Sequence, residues 1–186
     1  MNTEQDEYWM RHALQLANNA QQQNEVPVGA VLVKDNQIIG EGWNQSISLH
    51  DPSAHAEMMA MREAGRKQQN YRLVDCTLYV TLEPCSHQGL TGPCADAVIA
   101  AGIRKVFVAM KDPNEKVNGQ GIQKLRDAGI EVEVGLMELE ARELNAAFIK
   151  RITTGLPYVH AKWAMTLDGK IATRTGNSQW ISGEAS

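Results

Sequence analysis

From residue 76 onward the chain alternates short aliphatic runs with stretches of helical period, and that alternation leaves few folds open. "TLYVTL" is followed by "PCADAVIAAG", then "KVFVAM", "GQGIQKLRDAG", "EVEVG" and finally "ELEARELNAAFIKRI". Short β-rich runs separated by single helices build parallel strands, because a parallel partner needs a crossover long enough to hold a helix. Helices then cover both faces of the sheet. Upstream, "VGAVLV", the turn "KDNQ" and "IIGEGW" read as a hairpin, so the sheet is mixed and has about five strands. Trp9, Ala13, Leu16, Ala17 and Ala20 recur at helical spacing and predict an amphipathic helix over residues 6 to 22. A further helix is expected from Ala54 to a glycine stop at Gly65.

The length of 186 residues suits one well-cored domain and a fragment. The boundary falls at "TTGLPY", where Gly155 and Pro157 interrupt the helical pattern, giving a domain over 1–154 and a shorter segment over 155–186. No apolar run approaches the ~20 residues of a membrane span. The opening "MNTEQDEYWMRHALQLA" lacks the basic and apolar regions of a secretory signal, so a cytoplasmic address is expected. A formal charge of -4 gives no whole-surface attraction to phosphate backbones, and Arg62, Arg66 and Lys67 read most simply as a solvated helix face.

Three cysteines in a chain with no export signal argue for a metal or reactive role rather than for disulfides. Cys76 lies in the alternating run "VDCTLYVTL" and reads as core. Cys85 and Cys94, with eight residues between them, close a strand and open a helix. His55 and Glu57 stand in "AHAEMMAMREAG", where an imidazole precedes an acid by two positions at a helix start. An imidazole and two thiolates leave one corner of a tetrahedral zinc ion open, where a bound water falls towards pKa ~7. Glu57 is then the candidate proton shuttle, near the water and off the metal. The start of the second helix would favour an ionised Cys94. Each piece has a plainer reading: a first-turn glutamate compensates the helix dipole, and free cysteines pack in cores. A closed structural zinc site is also open, with His87, or next His50, as fourth ligand.

The conjunction of His-Ala-Glu with Glu-Pro-Cys matches the zinc deaminase signature apart from its longer cysteine gap. Residues from about Tyr8 to Cys85, through "EVPVGAVLV", "IIGEGWN", "HDPSAHAE" and "VTLEPC", resemble bacterial tRNA adenosine deaminases. From Ser86 on, "SHQGLTGPCADAVIAAGI", "KDPNEKVNGQG" and "PYVHAKWAMTLDGKIA" resemble the bifunctional deaminase/reductase of riboflavin biosynthesis. The chain reads as a splice of the two families near Cys85 and Ser86. Both resemblances imply the cytidine-deaminase-like α/β/α sandwich, a Zn2+ cofactor on His55, Cys85 and Cys94, and Glu57 as catalytic residue.

The inter-cysteine loop follows the riboflavin family, which implies a pyrimidine nucleotide-like small molecule as substrate, and both resemblances imply a homo-oligomer. Asn44 resembles a base contact of the tRNA enzymes, and with His87 it makes the candidate substrate-binding pair. Two departures stand out: "EVPVG" replaces the usual Asn-Pro-x-Val-Gly, and Leu90 replaces a basic residue. The tRNA wobble adenosine is therefore kept as an alternative substrate, and a catalytically silent zinc module as an alternative of another class. Lys162, Asp168 and Gly169 resemble the opening of the reductase domain, and a chain ending at Ser186 is expected to lack a complete nicotinamide site and reductase activity.

Overall fold

The computed structural model describes residues 3–115 and 117–179 and divides into two compact units, Met1–Leu156 and Pro157–Ser186. The first helix, α1 (Glu4–Gln22), starts two residues earlier than its apolar spacing suggests. Thr3 and Asp6 form a reciprocal capping box that satisfies the first free N–H groups. A hairpin follows, β1 (Gly29–Lys34) and β2 (Gln37–Trp43), with Asp35 and Asn36 in the left-handed conformation of a two-residue turn.

Helix α2 (Ala56–Gln68) leads to β3 (Thr77–Leu82), α3 (Cys94–Ala101), β4 (Lys105–Met110), α4 (Gln120–Asp127) and β5 (Glu131–Val134). The five strands lie in the order β2-β1-β3-β4-β5. β1 runs antiparallel to β2 and β3, while β3, β4 and β5 are parallel, so the sheet is mixed as the run pattern predicts. Gly29, Gly40 and Gly42 let helices approach the sheet closely. A Cβ on Gly29 would stand 2.0 Å from the Ala13 carbonyl on α1, and one on Gly40 would stand 2.2 Å from that of Ala60 on α2. With α1 and α2 on opposite faces, the unit is a three-layer α/β/α sandwich. Among the described residues no helix is long and apolar enough to cross a membrane.

Two boundaries differ from the sequence expectation. α2 runs through Gly65 and stops at Gln69, whose φ of 50° turns the chain back so that Asn70 N–H reaches the Gly65 carbonyl. The single helix expected over 138–152 is two, α5 (Glu138–Leu144) and α6 (Ala146–Thr154). Buried Asn145 interrupts it, donating from Nδ2 to the carbonyls of Pro27 at 3.0 Å and Ala141 at 3.1 Å.

In the second unit, two tight turns carry Gly169 and Gly176 at positive φ. The strand-like run "YVHAKWAM" forms no strand among the described residues. A strand exists only against a neighbour that takes its N–H and C=O groups.

Candidate active site and metal centre

The starts of α2 and α3 meet the segments that leave the ends of β2, β3 and β4. His55 is the N-cap of α2, in extended backbone (φ −79°, ψ 155°), which turns its ring across the helix entry. Asn44, at the exit of β2, accepts the Ala56 N–H on Oδ1 at 3.0 Å and so caps α2 in place of His55. Arg62, seven residues on, reaches back along the same helix to Asp51 Oδ2 at 3.3 Å and Ser53 Oγ at 2.7 Å. It is thus tied to the loop that delivers His55, and the reading of Arg62 as a solvated cation gives way to a local anchor.

The two cysteines approach from β3 and α3. His55 Nδ1 lies 3.2 Å from Cys94 Sγ and 4.0 Å from Cys85 Sγ. All three donor atoms lie within 4.8 Å of one another. A tetrahedral zinc with one imidazole and two thiolates has ligand-to-ligand separations of ~3.5–3.8 Å. One nitrogen and two soft sulfurs at these spacings fit such an ion. Among the described residues the cluster has three members, and neither His87 nor His50 joins it.

The helix start acts on the other cysteine than the spacing suggests. Cys85 Sγ accepts the Cys94 N–H at 3.2 Å, and its carbonyl accepts that of Ala95 at 3.1 Å. Cys85 therefore caps α3. A hydrogen bond from the Cys94 thiol, opposed by burial and joined by His55, holds the Cys85 thiol well below its ordinary range. Cys94 moves the other way, because its proton is engaged by Cys85 and its sulfur is buried. Two adjacent sulfurs competing for one proton form a site that a cation would relieve.

Glu57, in the first turn of α2, is only 4 % exposed. Burial pushes its carboxyl above the ordinary glutamate range, against its own backbone N–H and His55, which pull it down. It opens with His55, Cys85, His87, Asn44 and Asp112 onto a cavity of about 200 Å³. Asp112 leaves the end of β4 and is also raised, chiefly by burial and then, against a hydrogen bond from Asn114, by Glu83. Phe148 on α6 supplies an apolar wall. Leu90, 92 % exposed, belongs with His87 and Cys85 to an adjoining recess of about 290 Å³.

Motif reading passes over Asp112 and Phe148, and it includes Glu83 in Glu-Pro-Cys and Glu25 in "EVPVG" without giving either side chain a role. Glu25, first in "EVPVG", is buried and accepts the N–H groups of Ile47 and Ser48 on Oε1, both at 2.8 Å. It anchors the loop that follows Asn44. An acid before a Pro-Val-Gly step is the one trace of it in the sequence.

The family model for the cytidine and deoxycytidylate deaminase zinc-binding region matches residues 3–110, which contain the whole cluster. The chain belongs to this family. A second model, for the RibD C-terminal domain, matches residues 157–186. The riboflavin biosynthesis protein RibD of Aquifex aeolicus is 48% identical over 183 residues, covering 97% of this chain and 49% of that protein. A solved diaminohydroxyphosphoribosylaminopyrimidine deaminase/5-amino-6-(5-phosphoribosylamino)uracil reductase from Thermotoga maritima superposes with a TM-score of 0.84 at 43% identity. That alignment covers 95% of this chain and 49% of the other. The chain therefore spans about half the length of the curated relatives it matches. A solved tRNA:A34 deaminase aligns at 35% identity and a TM-score of 0.65, covering 74% of this chain and 98% of its own. The RibD matches run through Cys85 and Ser86, where the two resemblances meet.

Proposed function

We propose that the chain is a zinc-dependent aminohydrolase that removes an amino group from a pyrimidine carrying a ribosyl phosphate, the deaminase step of riboflavin biosynthesis. The observation that carries this is a buried glutamate, Glu57, facing the same cavity as three clustered metal donors. The likeness to RibD proteins over 97% of the chain supports the substrate class.

His55, Cys85 and Cys94 would hold the zinc, leaving the Glu57 side of the cluster toward the cavity. When bound, the ion supplies a Lewis acid that makes water nucleophilic near neutral pH. Glu57 passes one proton of the attacking water to the ring nitrogen, then carries the second, from the new hydroxyl, to the amino nitrogen, which leaves as ammonia as the carbonyl forms. Its burial favours the protonated form and so suits it to donate as well as accept. Asn44 and His87 line the cavity toward the substrate, and Asn44 also keeps the start of α2 in place. Phe148 offers an apolar surface for the flat ring. We further propose a cytoplasmic homo-oligomer whose residues 1–154 form the deaminase domain and whose residues 155–186 open a reductase-like domain.

Ammonia release tests this. The zinc-loaded chain should deaminate diaminohydroxyphosphoribosylaminopyrimidine and leave an anticodon stem-loop unchanged. Cys94→Ser should lose both bound zinc, measured by elemental analysis, and turnover. Release from the stem-loop alone would move the assignment to tRNA adenosine, and release from neither would make the chain a silent zinc module.

A further inference from the structure

Glu83 has no part in the chemistry above, yet it is 3 % exposed and four backbone N–H groups converge on it. Oε2 accepts from Gly119 at 2.8 Å and Asp112 at 3.2 Å. Oε1 accepts from Gly121 at 2.9 Å and Ile122 at 3.3 Å. Three of these donors belong to the entry of α4, and the fourth is the backbone of a cavity residue. The N–H of Glu83 itself bonds the Met110 carbonyl at 3.0 Å, locking the ends of β3 and β4 together. The contact to α4 is closer still. A Cβ on Gly121 would stand 2.0 Å from the Pro84 carbonyl oxygen and 3.2 Å from Glu83 Oε1, so only glycine lets α4 touch the turn that delivers Cys85.

Four donors need four acceptor lone pairs, which a carboxylate has and an amide lacks. One side chain therefore joins the Cys85 turn, the Asp112 segment and the start of α4. The α4 N-terminus spends its free N–H groups on Glu83, so it is part of the wall and does not serve as an anion pocket.

Resting on the deaminase reading, we propose that Glu83 is a positioning residue that sets the Asp112 wall of the substrate cavity against the metal-binding turn. It touches no reacting atom. Its effect is on substrate fit, which a simple contribution to stability would not single out.

The test uses the full chain loaded with zinc. Glu83→Gln is isosteric but turns N–H donors toward N–H donors. It should speed amide hydrogen exchange at Asp112, Gly119, Gly121 and Ile122 by about tenfold or more, leaving β1 and β3 protected. KM for the pyrimidine substrate should rise about tenfold, with kcat within about threefold. In an Asp112→Asn background the KM penalty of Glu83→Gln should shrink to less than about twofold, since both changes act through one wall. Faster exchange with unchanged KM would show that Glu83 only caps a helix, and an equal KM penalty in both backgrounds would show that it does not act through Asp112. Either result overturns the inference. If Glu83→Gln does not fold, Gly121→Ala retains the carboxylate while pushing α4 off Pro84, and an unchanged KM there overturns it too. Exchange is independent of turnover: unchanged protection at the four amides refutes the role of Glu83, whereas a wild type inert to the pyrimidine refutes only the deaminase reading.

Discussion

Replacing Glu57 by glutamine separates what this side chain does for chemistry from what it costs the fold. The amide has the shape of the acid, so the packing around a group only 4 % exposed and the three metal donors are retained. It cannot move a proton. Loss of a positioned acid-base group lowers turnover by about 10²–10⁴-fold, or about 2.7–5.4 kcal/mol of barrier. Stability should move the opposite way in the metal-free protein. Burial raises the folded carboxyl above its ordinary value of 4.5, so between the unfolded and folded values the native state holds a proton that the unfolded chain has released. Stability therefore falls as pH rises through that window, and the full cost remains above it. Glu57→Gln removes the cost, so the metal-free variant should be more stable than wild type at pH 7 and should lack the downward slope above pH 4.5. Ammonia release from zinc-loaded protein and urea unfolding of metal-free protein at pH 4 to 8 measure the two effects. A variant that keeps more than about a tenth of wild-type turnover refutes the shuttle, because general acid-base catalysis of this kind contributes at least about a hundredfold. Equal stability slopes in the two proteins refute the assignment of the cost to Glu57.

Other outcomes follow from contacts further out. Gly42→Ala places a Cβ 2.5 Å from that of Met59 and 2.7 Å from the Ala56 carbonyl, against the first turn of α2. Thermal unfolding should show a loss of about 1–3 kcal/mol, and zinc should pass faster to a chelator because His55 stands at the entry of that turn. An unchanged zinc release rate would mean that the helix start tolerates displacement. Asp6 is raised by burial but brought below its ordinary value of 3.8 by hydrogen bonds from Thr3 and Tyr79 and by Lys105. The native state thus gives up its proton first as pH rises, so this contribution is present above pH 3.8 and is lost as pH falls through the folded value. Asp6→Asn should cost about 1 kcal/mol at pH 7, and urea titrations should show the gap to wild type closing in acid.

Much of this molecule is visible along the chain. The spacing of Trp9, Ala13, Leu16 and Ala17 marks the buried face of α1, and all four are buried. The run alternation yields the mixed five-stranded sheet. His55 and Glu57 sit two residues apart on one helix entry, and the strand-end and helix-start positions of Cys85 and Cys94 are local patterns, so the three side chains that cluster could be named before any coordinates. Periodicity and short motifs are relations between near neighbours, and they hold whatever the rest of the chain does.

Tertiary structure decided the rest. Which cysteine takes the helix N–H depended on how β3 meets α3, and Cys85, not the helix's own first residue, accepts it. Arg62 has the composition of a solvated face, but its partners Asp51 and Ser53 come from the loop before α2. Asn145 breaks a helix of good period because the Pro27 carbonyl, 118 residues away, is within reach. Glu83 collects N–H groups 29 to 39 residues downstream, so its place in Glu-Pro-Cys marks a motif without showing what the carboxylate holds. Hydrogen-bond partners and burial depend on distances through space, and these exist only once distant segments have packed.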